Sequence, residues 1–190
     1  MLNIIAGTLS VGAPPVAPSS YESIATTTVG SGGSSTITFS SIPSTFTHLQ
    51  IRVMSRDARS ASLNNLQLQI NGDTGTSYTY HSIIATGANP VTADGGGGAN
   101  ATDYIYEPSA SATASVFGAS IWDILDYTST TKNKTIRMIG GFDANGSGRL
   151  NFTSSLWLNT NAITSLTFRN SSNANFVEYS SFALYGIKGS

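Results

Sequence analysis

Asp143, Asn145 and Ser147 place an oxygen-bearing side chain at every second position, and Gly148 follows them. This is the spacing of the front half of a calcium loop, where alternate oxygens wrap the ion and a glycine allows the sharp turn. The match then stops. The twelfth place of such a loop carries a bidentate carboxylate, and here it is Ser154. The flanking stretches read as strands, and one carboxylate is too little charge for tight binding. Asn145-Gly146 is instead a strong short hairpin signal. The segment is therefore expected to turn the chain, and no metal or cofactor is assigned to it. Asn71-Gly72-Asp73 is expected to be a second hairpin turn, with Asp73 bonding its own backbone.

The remaining candidates for chemistry are few. His48 and His81 are the only histidines. No Gly-x-Ser-x-Gly elbow accompanies them, so His48 is expected to pair across strands and neither is assigned a catalytic role. Asp123 and Asp126, three apart in a strand, face opposite sides, which is wrong for a shared acid–base site. Arg137 is the expected partner of Asp123 if that carboxylate is buried. Arg52, Arg56 and Arg59, with Asp57 among them, form the only dense basic cluster and read as a solvated face. Tyr78, Tyr80, Tyr104 and Tyr106 are the rings best placed to stack on a sugar. Trp157 lies between Leu156 and Leu158, which makes both sides of its strand apolar, so it is assigned to a subunit interface. No catalytic residue is assigned, and an enzyme is not expected.

The elements that must hold these residues are strands. Leu49, Ile51 and Val53 alternate with His48, Gln50 and Arg52. Leu66, Leu68 and Ile70 alternate with Gln67, Gln69 and Asn71. That is the period-two pattern of half-buried strands. The stretch 115–127 is apolar on both sides and reads as a central strand. Further runs fall near 36–39, 134–142, 149–158, 162–170 and 178–187. Residues 92–100, with four consecutive glycines, are expected to form a mobile loop tip. No stretch has a sustained helical repeat. Eight to ten short strands with polar turns imply an all-β, antiparallel sandwich of jelly-roll-like type, with a barrel as the other possibility.

Two regions are expected: an extended N-terminal arm over 1–20 and the sandwich over 21–190. In the arm, Leu2, Ile4, Ile5, Leu9 and Val11 are aliphatic without a core of their own. Pro14, Pro15 and Pro18 favour an extended path. The arm, including Pro14 and Pro15, is expected to lie on a neighbouring subunit. It does not read as a signal peptide, because it lacks a basic start.

Composition excludes several classes. Charged residues are 10% of the chain and the net charge is −1, which does not suit an electrostatic nucleic-acid binder. There is no cysteine, hence no disulfide framework. No segment is long and apolar enough for a membrane-spanning helix. Serine and threonine exceed a quarter of the residues, yet the aliphatic and aromatic residues recur in alternating runs, which argues for a folded chain.

Several phrases resemble a known group. "YESIATTTVGSGGSSTITFSSIPSTFTHLQIRVMSR", "INGDTGTSYTYH", "DANGSGR" and "YSSFALYGIKG" are similar to small virion-associated proteins of tailed bacteriophages, notably those of cyanobacteria and other aquatic bacteria. The likeness runs from about Tyr21 to Gly189 and is loosest over 86–103. It implies a β-rich protein, usually a homotrimer, located in the virion. There it would serve as capsid cement or decoration beside the major capsid protein, or in tail and fibre structures. No active-site residue comes with it. The expected role is a structural subunit that bridges its neighbours, with capsid cement preferred. The alternative is a tail or fibre module that binds host glycan.

Overall fold

The structure is a computed structural model and describes residues 19–87 and 89–189. The arm residues Leu2, Ile4, Ile5, Leu9, Val11, Pro14 and Pro15 lie outside the described residues. Twelve strands follow one another among the described residues: β1 (Tyr21–Thr28), β2 (Ile37–Phe39), β3 (His48–Ser55), β4 (Leu63–Ile70), β5 (Tyr78–Ala85), β6 (Thr92–Ala99), β7 (Ile105–Pro108), β8 (Gly118–Ile124), β9 (Lys134–Asp143), β10 (Gly148–Trp157), β11 (Leu166–Asn170) and β12 (Ser181–Ile187). This is more than the eight to ten expected, because β5, β6 and β7 carry weak or no alternation.

The strands form two antiparallel sheets. One has eight strands in the order β1-β12-β3-β8-β9-β10-β5-β6, and the other has four in the order β2-β11-β4-β7. Setting aside β5, β6, β9 and β10, the remaining eight strands in chain order give sheets of first-eighth-third-sixth and second-seventh-fourth-fifth. That is a jelly-roll-like interleaving of two Greek keys. The pairs β5–β6 and β9–β10 are insertions. They join each other through β10 and β5 and extend the larger sheet beyond β8.

The core lies between the sheets. Alternation turns Leu49, Ile51 and Val53 of β3 and Trp122 and Ile124 of β8 inward, against Leu66, Leu68 and Ile70 of β4 and Leu166 and Phe168 of β11. Trp122 meets Phe168 edge to face at 5.3 Å. Each such side chain contributes about 1.5–3 kcal/mol by leaving water, so the inward faces are the main favourable term holding the two sheets together. Strand β8 is central, as its two-sided apolarity predicts.

Three expectations are corrected. Residues 92–99 are no loop tip but β6, the edge strand paired with β5. The ring of His81 lies against Gly95 and that of Tyr80 against Gly96, so cross-strand rings cover the backbone that the glycines leave bare. Asn71 and Gly72 do make a tight turn, with φ of 53° and 67° and Asp73 N donating to Ile70 O at 2.9 Å. It is no hairpin, because β4 enters one sheet and β5 the other. Trp157 is 1% exposed within the chain itself. Its ring belongs to the core and its Nε1 donates to Asp73 Oδ2 at 2.7 Å, so no neighbouring subunit is needed to cover it.

Candidate functional site

The outer face of the eight-stranded sheet carries apolar residues where an antiparallel sheet usually turns polar ones to water. Register sets Ile83, Phe152, Ile139 and Ile121 side by side on β5, β10, β9 and β8. Two residues along, Leu150, Gly141, Ala119 and Met54 form a second row across β10, β9, β8 and β3. The six large side chains of these rows are between 39% and 57% exposed. With strands about 4.8 Å apart, the first row spans roughly 14 Å. The neighbouring row on the other side is polar: His81, Ser154, Arg137, Asp123, Gln50 and Tyr185. The apolar surface therefore has a definite border.

A groove of about 870 Å³ opens on this surface, lined by Ile121, Ile139, Ala119, Leu150, Arg149 and the turn joining β9 to β10. Gly141 explains its shape. A Cβ there would run into the carbonyl of Arg149, so only glycine lets the backbone of Arg149, which lines the groove, come this close. The turn itself is the calcium-like segment. Ala144 N donates to Ser147 O at 2.6 Å, and Asn145 and Gly146 take φ of 62° and 96°. Asp143 Oδ1 accepts from Asn145 N at 2.8 Å. The segment thus forms a hairpin turn and one wall of the groove. Among the described residues no three His, Asp or Glu side chains gather as metal ligands would.

The aromatic candidates divide. Tyr78 is corrected: it is fully buried and takes no part in a surface. Its hydroxyl accepts from Ile70 N at 2.9 Å and donates to Asp73 O at 3.2 Å, and burial pushes it up to about 12. Tyr80, Tyr104 and Tyr106 do come together. Tyr80 stacks on Tyr104 at 4.1 Å, Tyr106 meets Tyr104 edge-on at 6.2 Å, and the Arg149 guanidinium lies 4.3 Å over Tyr106. Hydrogen bonding to Tyr80, then to Asp94, holds the Tyr104 hydroxyl well above the usual phenol range. Tyr104 also has a φ of 68°, a costly conformation for an aromatic residue. The stacked rings cover part of one another's faces. On the inward side of β10, Asn151 is buried, and neither its amide nitrogen nor its oxygen has a partner.

The charged candidates are structural. Arg137 stands opposite Asp123 in the ladder, but the expected ion pair does not form. Asp123 instead accepts from Gln50 Nε2 at 2.8 Å on the outer, half-buried face. Asp126 pairs with Lys132 at 2.7 Å, and His48 Nδ1 accepts from Asp126 N at 3.0 Å. The arginines do not share one solvated face. Arg52 lies over Tyr21 and Tyr185. Arg56 is buried and donates to the carbonyls of Ala110, Ala112, Thr113 and Val116 at 2.8–3.2 Å.

The sequence reading missed the outer apolar rows. Their signal was present in Leu150 and Phe152, which alternate with Asn151 and Thr153. The pattern gives the alternation but not which side is the core, and here the polar side is the buried one. No protein-family model, curated protein or solved structure matches this chain.

Proposed function

We propose that the protein is a structural subunit of a tailed-phage particle, a capsid cement or decoration protein. It forms a homotrimer that bridges neighbouring subunits and touches the major capsid protein. The observation that carries this reading is the bordered apolar surface on the larger sheet, an arrangement suited to contact with another protein. Low charge supports it, since little full charge has to be desolvated on contact. The phage setting comes from the sequence resemblance alone. Its test is binding of the purified protein to phage shells that lack it, measured by co-sedimentation. The expected result is saturable binding that is lost in F152D. Shells that bind neither protein, or both equally, would overturn it.

One observation favours a second reading, a tail or fibre module that binds host glycan. Tyr80, Tyr104, Tyr106 and Arg149 form one continuous aromatic and cationic cluster, and such groups serve sugar recognition. A host-polysaccharide array separates the two, because only the second reading expects a signal that Y106A abolishes.

A further inference from the structure

We infer that the groove on the outer face receives residues 5–11 of a second copy of this chain. This deepens the reading of a self-bridging subunit and does not depend on the phage setting.

The occupant's chemistry fits. Ala119, Ile121, Ile139 and Leu150 give the groove an aliphatic part, with Arg52, Asp143 and Arg149 also lining it, and residues 1–20 contain no charged side chain. Taken as an extended strand, Ile5, Gly7, Leu9 and Val11 fall on one side. Between Ile5 and Val11 such a strand covers roughly 20 Å. The apolar row from Ile83 to Ile121 covers roughly 14 Å of this, and Arg52 on β3 stands one strand interval of about 4.8 Å further. Thr8 and Ser10 would face outward.

The path of the chain points to a neighbour rather than to the same molecule. Lys188 N donates to Ser20 O at 2.9 Å, so the ladder of β1 and β12 continues back to Ser20. Tyr21 pairs with Ile187, and Ile187 with His48. The apolar rows begin level with Arg52 and Met54, toward the other end of β3. Ser20 therefore lies toward the end of the sheet opposite its own groove. Pro14, Pro15 and Pro18 disfavour an immediate reversal. Residues 12–18 alone span about 22 Å in such a path. Such a reach is enough to carry residues 5–11 to an adjacent copy, and disulfide cross-linking separates that from a return to the same molecule.

The absence of cysteine allows a direct test on the full-length chain. One preparation carries L9C, a second carries I139C, and a third carries T38C on the exposed face of the smaller sheet as a control. Mixed and mildly oxidised, the L9C and I139C chains are expected to form an intermolecular disulfide several-fold faster than L9C with T38C. Equal rates would overturn the inference. A doubly substituted L9C/I139C chain that closes on itself at high dilution, without joining a second chain, would overturn it in favour of the chain's own arm. Independently, L150D, at an exposed residue that lines the groove, is expected to weaken self-association at least about tenfold by sedimentation while leaving the melting temperature unchanged. Unaltered association would also overturn it. Shell binding without the cross-link removes this inference and leaves the proposed function. The cross-link without shell binding does the reverse.

Discussion

Replacing Glu107 with glutamine should flatten the pH dependence of stability above pH 4.5. Glu107, on β7, is buried between the sheets. The Ser55 hydroxyl donates to its Oε2, and its Oε1 has no partner. Burial pushes the carboxyl well above its ordinary value of 4.5; the Ser55 bond opposes this, and the charge of Asp57 adds to it. The folded protein therefore holds a proton that the unfolded chain releases near pH 4.5. The stability tied to that proton is complete below this value and is lost as pH rises through the folded value. One proton corresponds to about 1.4 kcal/mol per pH unit inside the window. For a chain of this length that amounts to roughly 3–6 °C of melting temperature per pH unit. Glutamine keeps the shape and an acceptor for Ser55 but cannot ionise. Thermal melts by circular dichroism should show E107Q gaining on the parent protein as pH rises from 4.5. Asp103, also raised by burial, acts equally in both proteins and cancels. Parallel melting profiles would refute the reasoning and mean that the Glu107 charge is accommodated.

Three further outcomes follow from the same geometry. R56M should lose about 3–5 kcal/mol in urea unfolding, because four carbonyls of the 110–116 segment lose their donor; R56K should recover part of that loss. N71A should cost about 2–4 kcal/mol, since Asn71 combines a φ of 53° with bonds to Ala162 O, Thr164 N and Ser165 N. Calorimetry with calcium should give no binding heat for the parent protein or for D143N, because Asp143 already serves the backbone of its own turn.

The fold was legible wherever one face of a strand is apolar and the other polar. Strands β3 and β4 follow that rule, and β8 announces its central place by being apolar on both sides. The rule fails where burial and polarity part company. In β10, Asn151, Thr153 and Ser155 point inward while Leu150 and Phe152 point out. Alternation alone cannot say which side is covered, so the candidate surface was hidden in a pattern that looked ordinary. Strand β6 was illegible for a different reason: glycines have no side chains to alternate, and the rings that cover them belong to β5. The turn at Asn71 shows local chemistry read correctly and topology read wrongly, because a tight turn does not record whether its strands share a sheet. Tyr78 and Trp157 were misplaced because an aromatic residue with a polar atom suits either a core or a surface. Their partners, Ile70 and Asp73, decide the matter and are visible only in three dimensions.

The proposal of a structural subunit in a phage particle is tested most directly by electron microscopy of intact particles in which the full-length protein carries a gold-binding tag at its C-terminus. The cement reading predicts regularly spaced label over the capsid, concentrated at threefold positions. Label confined to the tail tip would favour the glycan-binding alternative. Particles that carry no label, with the tagged protein remaining monomeric in solution, would contradict it.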